Sequence, residues 1–237
     1  MSGADRRLDE LAERYGIGAS GRRALAALLE ALADEHAPTR VHEPERAVEI
    51  HIADSLAPLA APGLRDASGL LADIGAGAGL PGLAIAAARP GLRVVEVESV
   101  GRKCAFIERA IAAMGLDNAD VACARAEEWR DGFGACDVVT ARALAALPVL
   151  VEYAAPLLRE GGILAAWKAS PAAEEVADGA WAADVLGLEP MESLEWVAEG
   201  GERRSLYVYL KVRSLPNGYP RRAGMASKRP LRASTSA

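Results

Sequence analysis

The spacing of hydrophobic residues changes near residue 69. Before that point, apolar side chains recur every three or four residues over 5–36 and again over 45–56, which predicts amphipathic helices. A connector rich in Pro and Gly follows over 57–68. Beyond it, short apolar runs typical of strands alternate with helical stretches. The predicted strands are 70–74, 93–98, 119–123, 136–140 and 162–167, and the predicted helices are 80–88, 101–114, 144–158 and 171–186.

This alternation predicts an α/β fold, a doubly wound Rossmann-like parallel sheet with helices on both faces. Two late apolar runs, 193–198 and 204–212, are close enough in sequence to form an antiparallel hairpin at the edge of that sheet. The predicted organisation is an N-terminal helical extension over 1–66, a sheet domain over 67–212 and a C-terminal tail over 213–237.

Four glycines mark the turn after the first predicted strand, at Gly75, Gly77, Gly79 and Gly82. A turn so rich in glycine lets a ligand approach bare backbone, and the helix that follows presents unpaired N–H groups. In a doubly wound sheet this turn lies at the switch point of the strand order, where ligands bind. The sequence therefore predicts a site for a nucleotide-type cofactor.

Two classes of cofactor fit this turn. Residues 77–82 satisfy the GxGxxG fingerprint of NAD-binding proteins, which is a weak signal when it stands alone. The longer pattern Asp-x-Gly-x-Gly-x-Gly over 73–79 resembles the cofactor loop of class I S-adenosylmethionine methyltransferases. In that case Asp73 is expected to help hold the methionine ammonium, directly or through water.

An acidic residue at the end of the second predicted strand completes the expected site. Glu98 lies 21 residues beyond Gly77, and an acid at such a position accepts hydrogen bonds from ribose hydroxyls. Glu96 shares its face of the strand and is a second candidate. Because NAD and S-adenosylmethionine both carry a ribose, neither acid separates the two classes.

Charge is distributed unevenly along the chain. The formal net charge is −6, yet residues 211–237 hold seven basic and no acidic side chains. A basic tail on an acidic body suggests a polyanionic partner such as a nucleic acid. We therefore expect removal of residues 213–237 to weaken RNA binding and to leave cofactor binding intact.

The three cysteines, Cys104, Cys123 and Cys136, show neither CxxC spacing nor an even count, so we expect buried reduced thiols. Only three histidines are present, and no metal site is predicted. The chain contains no run of 18 apolar residues and no signal-peptide core at its N-terminus. These features favour a cytoplasmic protein without a membrane anchor.

Segments spread along the chain match one family in order. They are 51–56 (HIADSL), 73–82 (DIGAGAGLPG), 98–103 (ESVGRK), 125–128 (RAEE), 141–143 (ARA), Lys168, 201–204 (GERR) and 219–224 (YPRRAG). Together they resemble the bacterial 16S rRNA guanine-N7 methyltransferase family RsmG, also called glucose-inhibited division protein B. The resemblance extends from about residue 40 to near the C-terminus. Glu98 departs from it, since the family commonly has Asp there.

The resemblance implies a class I methyltransferase sheet, S-adenosylmethionine as cofactor and N7 of a guanine in small-subunit rRNA as acceptor. RNA would contact the basic tail and the rim of the pocket, and the protein is expected to be a monomer. Arg142, Lys168 and Asp54 are candidates for positioning, and no catalytic base is assigned. The expected cofactor-binding residues are Asp73, Gly75, Gly77, Gly79, Leu80, Glu98, Ser99, Ala126, Glu127 and Arg142.

Three other functions stay open from the sequence. The same cofactor scaffold serves methyltransferases that act on small molecules or proteins, because fold alone does not determine the substrate. An NAD-dependent oxidoreductase is supported by GxGxxG alone, and no Tyr-x-x-x-Lys pair is evident. A non-catalytic RNA-binding module with a remnant cofactor loop is the third.

Overall fold

A computed structural model describes residues 2–61, 64–65, 67–198 and 201–233 of the chain. The predicted connector over 57–68 and the predicted tail over 213–237 therefore lie partly outside the described residues, at 62, 63 and 66 and at 234–237.

A single mixed sheet forms the centre of the protein. Its strands are β1 (Gly69–Ile74), β2 (Leu92–Val97), β3 (Ala119–Ala122), β4 (Cys136–Arg142), β5 (Leu158–Lys168), β6 (Leu188–Pro190), β7 (Leu194–Val197) and β8 (Arg203–Lys211). The strand order is β3-β2-β1-β4-β5-β8-β6, and β6 and β7 pair with different parts of the same edge of β8. Strands β1 to β5 are parallel, and β8 runs antiparallel to β5. The predicted doubly wound α/β fold is confirmed.

Helices cover both faces of the sheet. They are α1 (Gly3–Tyr15), α2 (Ala19–Ala33), α3 (Pro44–Ala47), α4 (Asp54–Leu56), α5 (Gly82–Ala88), α6 (Gly101–Met114), α7 (Leu147–Ala154), α8 (Ala173–Val185) and α9 (Met225–Lys228). A π-helical turn, Val48–Ala53, joins α3 to α4, and a 3₁₀ turn, Ala57–Ala60, follows α4.

Successive strand residues enter two different hydrophobic clusters, because side chains alternate between the two faces of the sheet. Leu71 packs with α2, α5 and α6 on one face, and Ala72 packs with α7 and α8 on the other. The N-terminal helices share the first cluster with the sheet, through residues such as Leu28 and Ile52. The extension predicted over 1–66 is thus packed on the sheet, and its boundary at 66 stays a prediction.

Three elements differ from the sequence-based expectation. The helical stretch over 5–36 is divided at Gly16, whose φ of 64° ends α1 in the left-handed conformation. Strand β6 was not predicted, since its three residues carry too short a pattern. The predicted hairpin forms between β7 and β8, but β8 also pairs with β5 and so lies inside the sheet.

Candidate functional site

The glycine turn lies at the carboxyl end of β1, where the strand order reverses between β1 and β4. Gly75, Gly77 and Gly79 have φ values of 68°, 62° and 77°, a region that residues with a Cβ rarely adopt. The Gly75 N–H donates to the carbonyl of Val97 at 2.8 Å, which ties the turn to the end of β2. A side chain at Gly79 would also meet Leu83 Cδ1 at 2.5 Å. Glycine is therefore required by backbone conformation and by close packing.

Glu98 lies against this turn, as the sequence predicts. Its Oε2 accepts a hydrogen bond from the N–H of Gly77 at 3.0 Å, and its Oε1 accepts one from Val100 at 2.9 Å. Lys103 Nζ is 3.7 Å from Oε2. The residue is buried, and the adjacent Ser99 is exposed. The Glu98 side chain is thus fixed beside the turn, at the place expected for an acid that binds ribose.

Asp73 lies beneath the turn and is fully buried. Its Oδ2 accepts the N–H of Gly82 at 2.9 Å, and its Oδ1 accepts the hydroxyl of Thr140 at 2.8 Å. These contacts join β1, β4 and the start of α5. Both oxygens are occupied inside the protein, so this arrangement favours support of the turn over the direct ammonium contact expected from the sequence.

Glu96 is not a ribose ligand, and its candidacy from the strand pattern was wrong. It is fully buried, and neither carboxyl oxygen has a hydrogen-bond partner among the described residues. Burial and the neighbouring Asp73 raise the pKa of Glu96 well above its usual value. Burial also raises the pKa of Asp73 to about 6, against the opposing hydrogen bonds from Gly82 and Thr140. Asp73 therefore gives up its proton before Glu96, because the charge of Asp73 opposes ionisation of Glu96.

Two of the three positioning candidates meet at the end of β4. Arg142 Nη1 lies 3.0 Å from Asp54 Oδ2 and also donates to the carbonyl of Ile50 at 3.3 Å. The indole N–H of Trp167 donates to the Asp54 carbonyl at 3.2 Å. Arg204 Nε approaches Asp54 Oδ1 at 3.7 Å. The 201–204 segment was noted in the sequence without a role, so the part Arg204 plays here was missed.

Lys168, the third candidate, lies elsewhere. Its Nζ is 2.6 Å from Glu175 Oε1 and donates to the carbonyl of Ala145 at 3.1 Å. It projects from the face of β5 opposite to Trp167 and so does not join the Asp54–Arg142 pair. Lys168 instead fixes the loop that follows β4 to the start of α8.

That loop contains Ala143, which the sequence marked only as the end of the segment 141–143, and Leu144, which the sequence did not mark. Ala143 has a φ of 55°, a strained conformation for a residue with a side chain. Leu144 follows with 39% of its surface exposed, and its Cδ1 lies 2.6 Å from the position that a Cβ on Gly75 would occupy. The loop after β4 thus covers the glycine turn with an exposed apolar side chain.

The turn after β3 holds the two residues expected near adenine. Ala126 and Glu127 belong to a short 3₁₀ turn, Ala126–Glu128, in which Ala126 is buried. Glu127 Oε1 accepts the N–H of Gly224 at 2.9 Å. The part of the tail that the structure describes is therefore docked on the body, and Leu215, Tyr219 and Leu231 pack against the cluster beneath α7 and α8.

The expectation of three reduced cysteines was wrong. Cys104 on α6 and Cys123 after β3 form a disulfide, and Cys136 is a free buried thiol. Cys104 Sγ also contacts the Glu98 carbonyl at 3.2 Å. The packing of α6 beside β3 brings the two cysteines together, which no local motif reveals.

Over the described ranges, no group of three or more His, Cys, Asp or Glu side chains is arranged to hold a metal ion. Within those same ranges, no helix is both long and apolar enough to cross a membrane. Residues of α1 and β7, together with Asp54, line a groove of about 760 Å³ that contains side chains of both charges.

The strand order, the glycine turn and the acid after β2 define the fold of a class I Rossmann-like methyltransferase. The chain matches the family model for rRNA small subunit methyltransferase G over residues 22–206. It belongs to the rRNA small subunit methyltransferase G (GidB) family.

Individual proteins agree with this membership. The chain is 44% identical over 200 residues to Ribosomal RNA small subunit methyltransferase G of Rubrobacter xylanophilus, with 80% of this chain and 75% of the relative covered. It is 40% identical to the protein of that name from Desulfitobacterium hafniense, with 81% of each covered. The crystal structure of a mutant 16S rRNA (adenine(1408)-N(1))-methyltransferase from Catenulisporales acidiphilia aligns with a TM-score of 0.54 and 17% identity, covering 68% of this chain and 91% of that one. The last comparison concerns the fold alone.

Proposed function

We propose that the protein transfers the methyl group of S-adenosylmethionine to N7 of a guanine in small-subunit (16S) ribosomal RNA. The observation that carries this proposal is the family membership of the chain together with an intact glycine turn and its acid, Glu98, in one buried arrangement.

The residues around the turn fit S-adenosylmethionine. Three glycines without Cβ atoms leave bare backbone for the ligand, and Leu80 follows them. Glu98 and Ser99 serve the ribose, and Ala126 and Glu127 lie on the adenine side. Asp73 acts through the turn that it supports, and Arg142 lies at the methionine end. The cofactor supplies an electrophilic sulfonium methyl group.

Guanine N7 carries an in-plane lone pair and no proton, so the transfer needs no general base. The role of the protein is to hold the base and the methyl group in line, which accounts for large rate factors without proton transfer. The side chains near Asp54 agree with a transfer that uses no general base. Burial, and then the charge of Arg142, lower the pKa of His51 to about 4, and its Nε2 is 2.8 Å from the hydroxyl of Thr39. Arg142, paired with Asp54, is an anchor for RNA or cofactor.

Ribosomal RNA would contact the outer face of the docked tail and the rim of the pocket. Five basic side chains of the tail are exposed: Arg213, which pairs with Asp184, and Arg222, Lys228, Arg229 and Arg232. Phosphate contacts release counterions, so affinity for RNA should fall steeply with salt. The base must be unpaired or flipped to reach the pocket. The protein would act as a monomer in the cytoplasm, where ribosomal subunits are present.

The experiment that tests the proposal maps methyl groups on RNA. Purified protein and S-adenosylmethionine labelled in the methyl group are incubated with small subunits, and separately with free rRNA, from a strain lacking the gene. We expect one 7-methylguanosine in 16S rRNA. Label in another base, or label only in protein or small molecules, would reject the proposal. Calorimetric titration with NAD provides the control for the cofactor class.

A further inference from the structure

The C-terminal segment 219–229, named here the clasp, is closed on itself and on α7. Arg221 lies at its centre. The guanidinium of Arg221 binds both carboxylate oxygens of Glu152, with Nε to Oε1 at 2.6 Å, and donates to the carbonyl of Arg229 at 3.0 Å. It also lies 5.8 Å from the centre of the Tyr219 ring. Glu152 is only 4% exposed, so the carboxylate end of this ion pair is buried, whereas the Arg221 side chain is 22% exposed.

The clasp also reaches the turn after β3. Gly224, with a φ of 79°, directs its N–H to Glu127 Oε1 at 2.9 Å. Ala226 is buried, and the hydroxyls of Tyr153 and Ser227 are 2.7 Å apart. The clasp thus bridges α7 and the turn Ala126–Glu128, elements far apart in sequence.

Ala126 packs in the buried cluster with α7, but that turn makes few hydrogen bonds to the rest of the protein. Its backbone hydrogen bonds are local, from Glu128 and Trp129 to the carbonyl of Arg125. The hydrogen bond from Gly224 joins its side chain to an element outside it. A short 3₁₀ turn with poor internal geometry takes its position from such outside contacts.

We propose that the clasp is a positioning element for the cofactor: Arg221, locked to Glu152, holds Gly224 against Glu127 and so fixes the adenine side of the site. This inference rests on the proposed function, which places Ala126 and Glu127 beside the cofactor. It divides the tail arginines into two kinds. Arg221 faces inward and serves the cofactor, whereas the adjacent Arg222 faces outward and serves RNA. Removing the tail is therefore expected to weaken cofactor binding, contrary to the expectation from charge alone.

The test compares neighbouring arginines in the full-length protein. Because Arg221→Met alone would leave a buried unpaired carboxylate, the test variant is the double change Glu152→Gln/Arg221→Met. Arg222→Met is the matched control. Calorimetric titration with S-adenosylmethionine should show affinity about 10-fold weaker in the double variant, equivalent to about 1.4 kcal/mol, and unchanged in the control. Arg221→Lys should restore part of the loss, because it keeps the charge and loses the bidentate geometry.

A melting temperature close to that of the wild type would exclude general unfolding as the cause. If the double variant does not fold, amide hydrogen exchange measured on the wild-type protein replaces the titration of the variant. S-adenosylmethionine should then slow exchange of the Gly224 amide and its neighbours in the clasp. Equal affinity in the folded double variant, or clasp exchange that is unchanged by the cofactor, overturns the inference. Failure of the wild-type protein to bind S-adenosylmethionine would instead reject the cofactor site itself.

Discussion

Replacement of Glu96 by Gln should change how the stability of the protein depends on pH. Glu96 is fully buried beside Asp73, and both the burial and the negative charge of Asp73 raise its pKa above the usual 4.5. Above about pH 4.5, and up to its raised pKa, the folded protein therefore keeps a proton on this carboxyl that the unfolded chain has already released. A state that binds more protons loses stability as pH rises, so Glu96 lowers the stability of the folded protein progressively above about pH 4.5.

The expected size follows from one proton. Stability falls by about 1.4 kcal/mol for each pH unit while Glu96 is protonated in the folded state and ionised in the unfolded state. Asp73, with a pKa of about 6, contributes in the same direction at lower pH, so measurements from pH 6 to 8 separate the two. The slope due to Glu96 persists up to the pH at which this carboxyl ionises in the folded protein. Glu96→Gln has nearly the same shape and cannot ionise, so it removes this slope.

Urea unfolding at pH 6, 7 and 8 measures the difference. The free energy of unfolding of Glu96→Gln, relative to the wild type, should rise with pH, by at most about 1.4 kcal/mol per pH unit. The exposed residue Glu128 provides a control, since Glu128→Gln should give a curve parallel to that of the wild type. Parallel curves for Glu96→Gln as well would refute the reasoning, because they would mean that Glu96 is already ionised in the folded protein.

Three other predictions concern the same region. Gly82→Ala should lower the free energy of unfolding by about 2 kcal/mol, because a Cβ would lie 2.1 Å from Glu96 Oε1. Gly91→Ala, with open space around it, should change stability little, and equal effects of the two substitutions would contradict the steric argument. Arg142→Ala should lower kcat/KM on the order of 100-fold, because the ligands are no longer held in place. Both limbs of the pH–rate profile should remain, and loss of one limb would argue that Arg142 takes part in proton transfer. Reductant should lower the free energy of unfolding by about 3 kcal/mol, since the Cys104–Cys123 disulfide closes a separation of 19 residues. Thiol titration of the unreduced unfolded protein should find only Cys136, and three thiols would contradict the disulfide.

The sequence was sufficient for the sheet and the cofactor turn because their signals are local. Parallel strands buried on both faces read as short apolar runs, and a left-handed turn requires glycine. Short or bent elements gave weaker signals. Strand β6 has only three residues, and Gly16 interrupts an otherwise continuous helical pattern without changing its spacing.

The two acids of the second strand show where strand periodicity stops being informative. Glu96 and Glu98 are two residues apart, so a regular strand would place them on one face. Strand β2 ends at Val97, however, so Glu98 lies just beyond the strand, beside the glycine turn. Glu98 therefore reaches the loop, and Glu96 stays beneath α5. The distinction depends on where the strand ends, which is the least certain feature of a sequence pattern.

The tail shows a different limit, because its role depends on partners far away in sequence. Its excess of basic residues correctly indicates charge, but charge alone does not tell which arginine faces the body. Arg221 meets Glu152 across a separation of 69 residues, and Gly224 meets Glu127 across 97. Only the packing of α7 beside the turn after β3 makes these pairs possible.

The contacts of the glycine turn also bear on the choice between the two cofactor classes. A dinucleotide needs free backbone N–H groups and the positive end of a helix for its pyrophosphate. Here the N–H of Gly75 is bound to Val97, that of Gly77 to Glu98, and that of Gly82 to Asp73. Two of these three acceptors are carboxylates, and Asp73 offsets the positive end of α5. The turn therefore presents negative charge where a pyrophosphate would lie, which suits the cationic sulfonium and ammonium groups of S-adenosylmethionine.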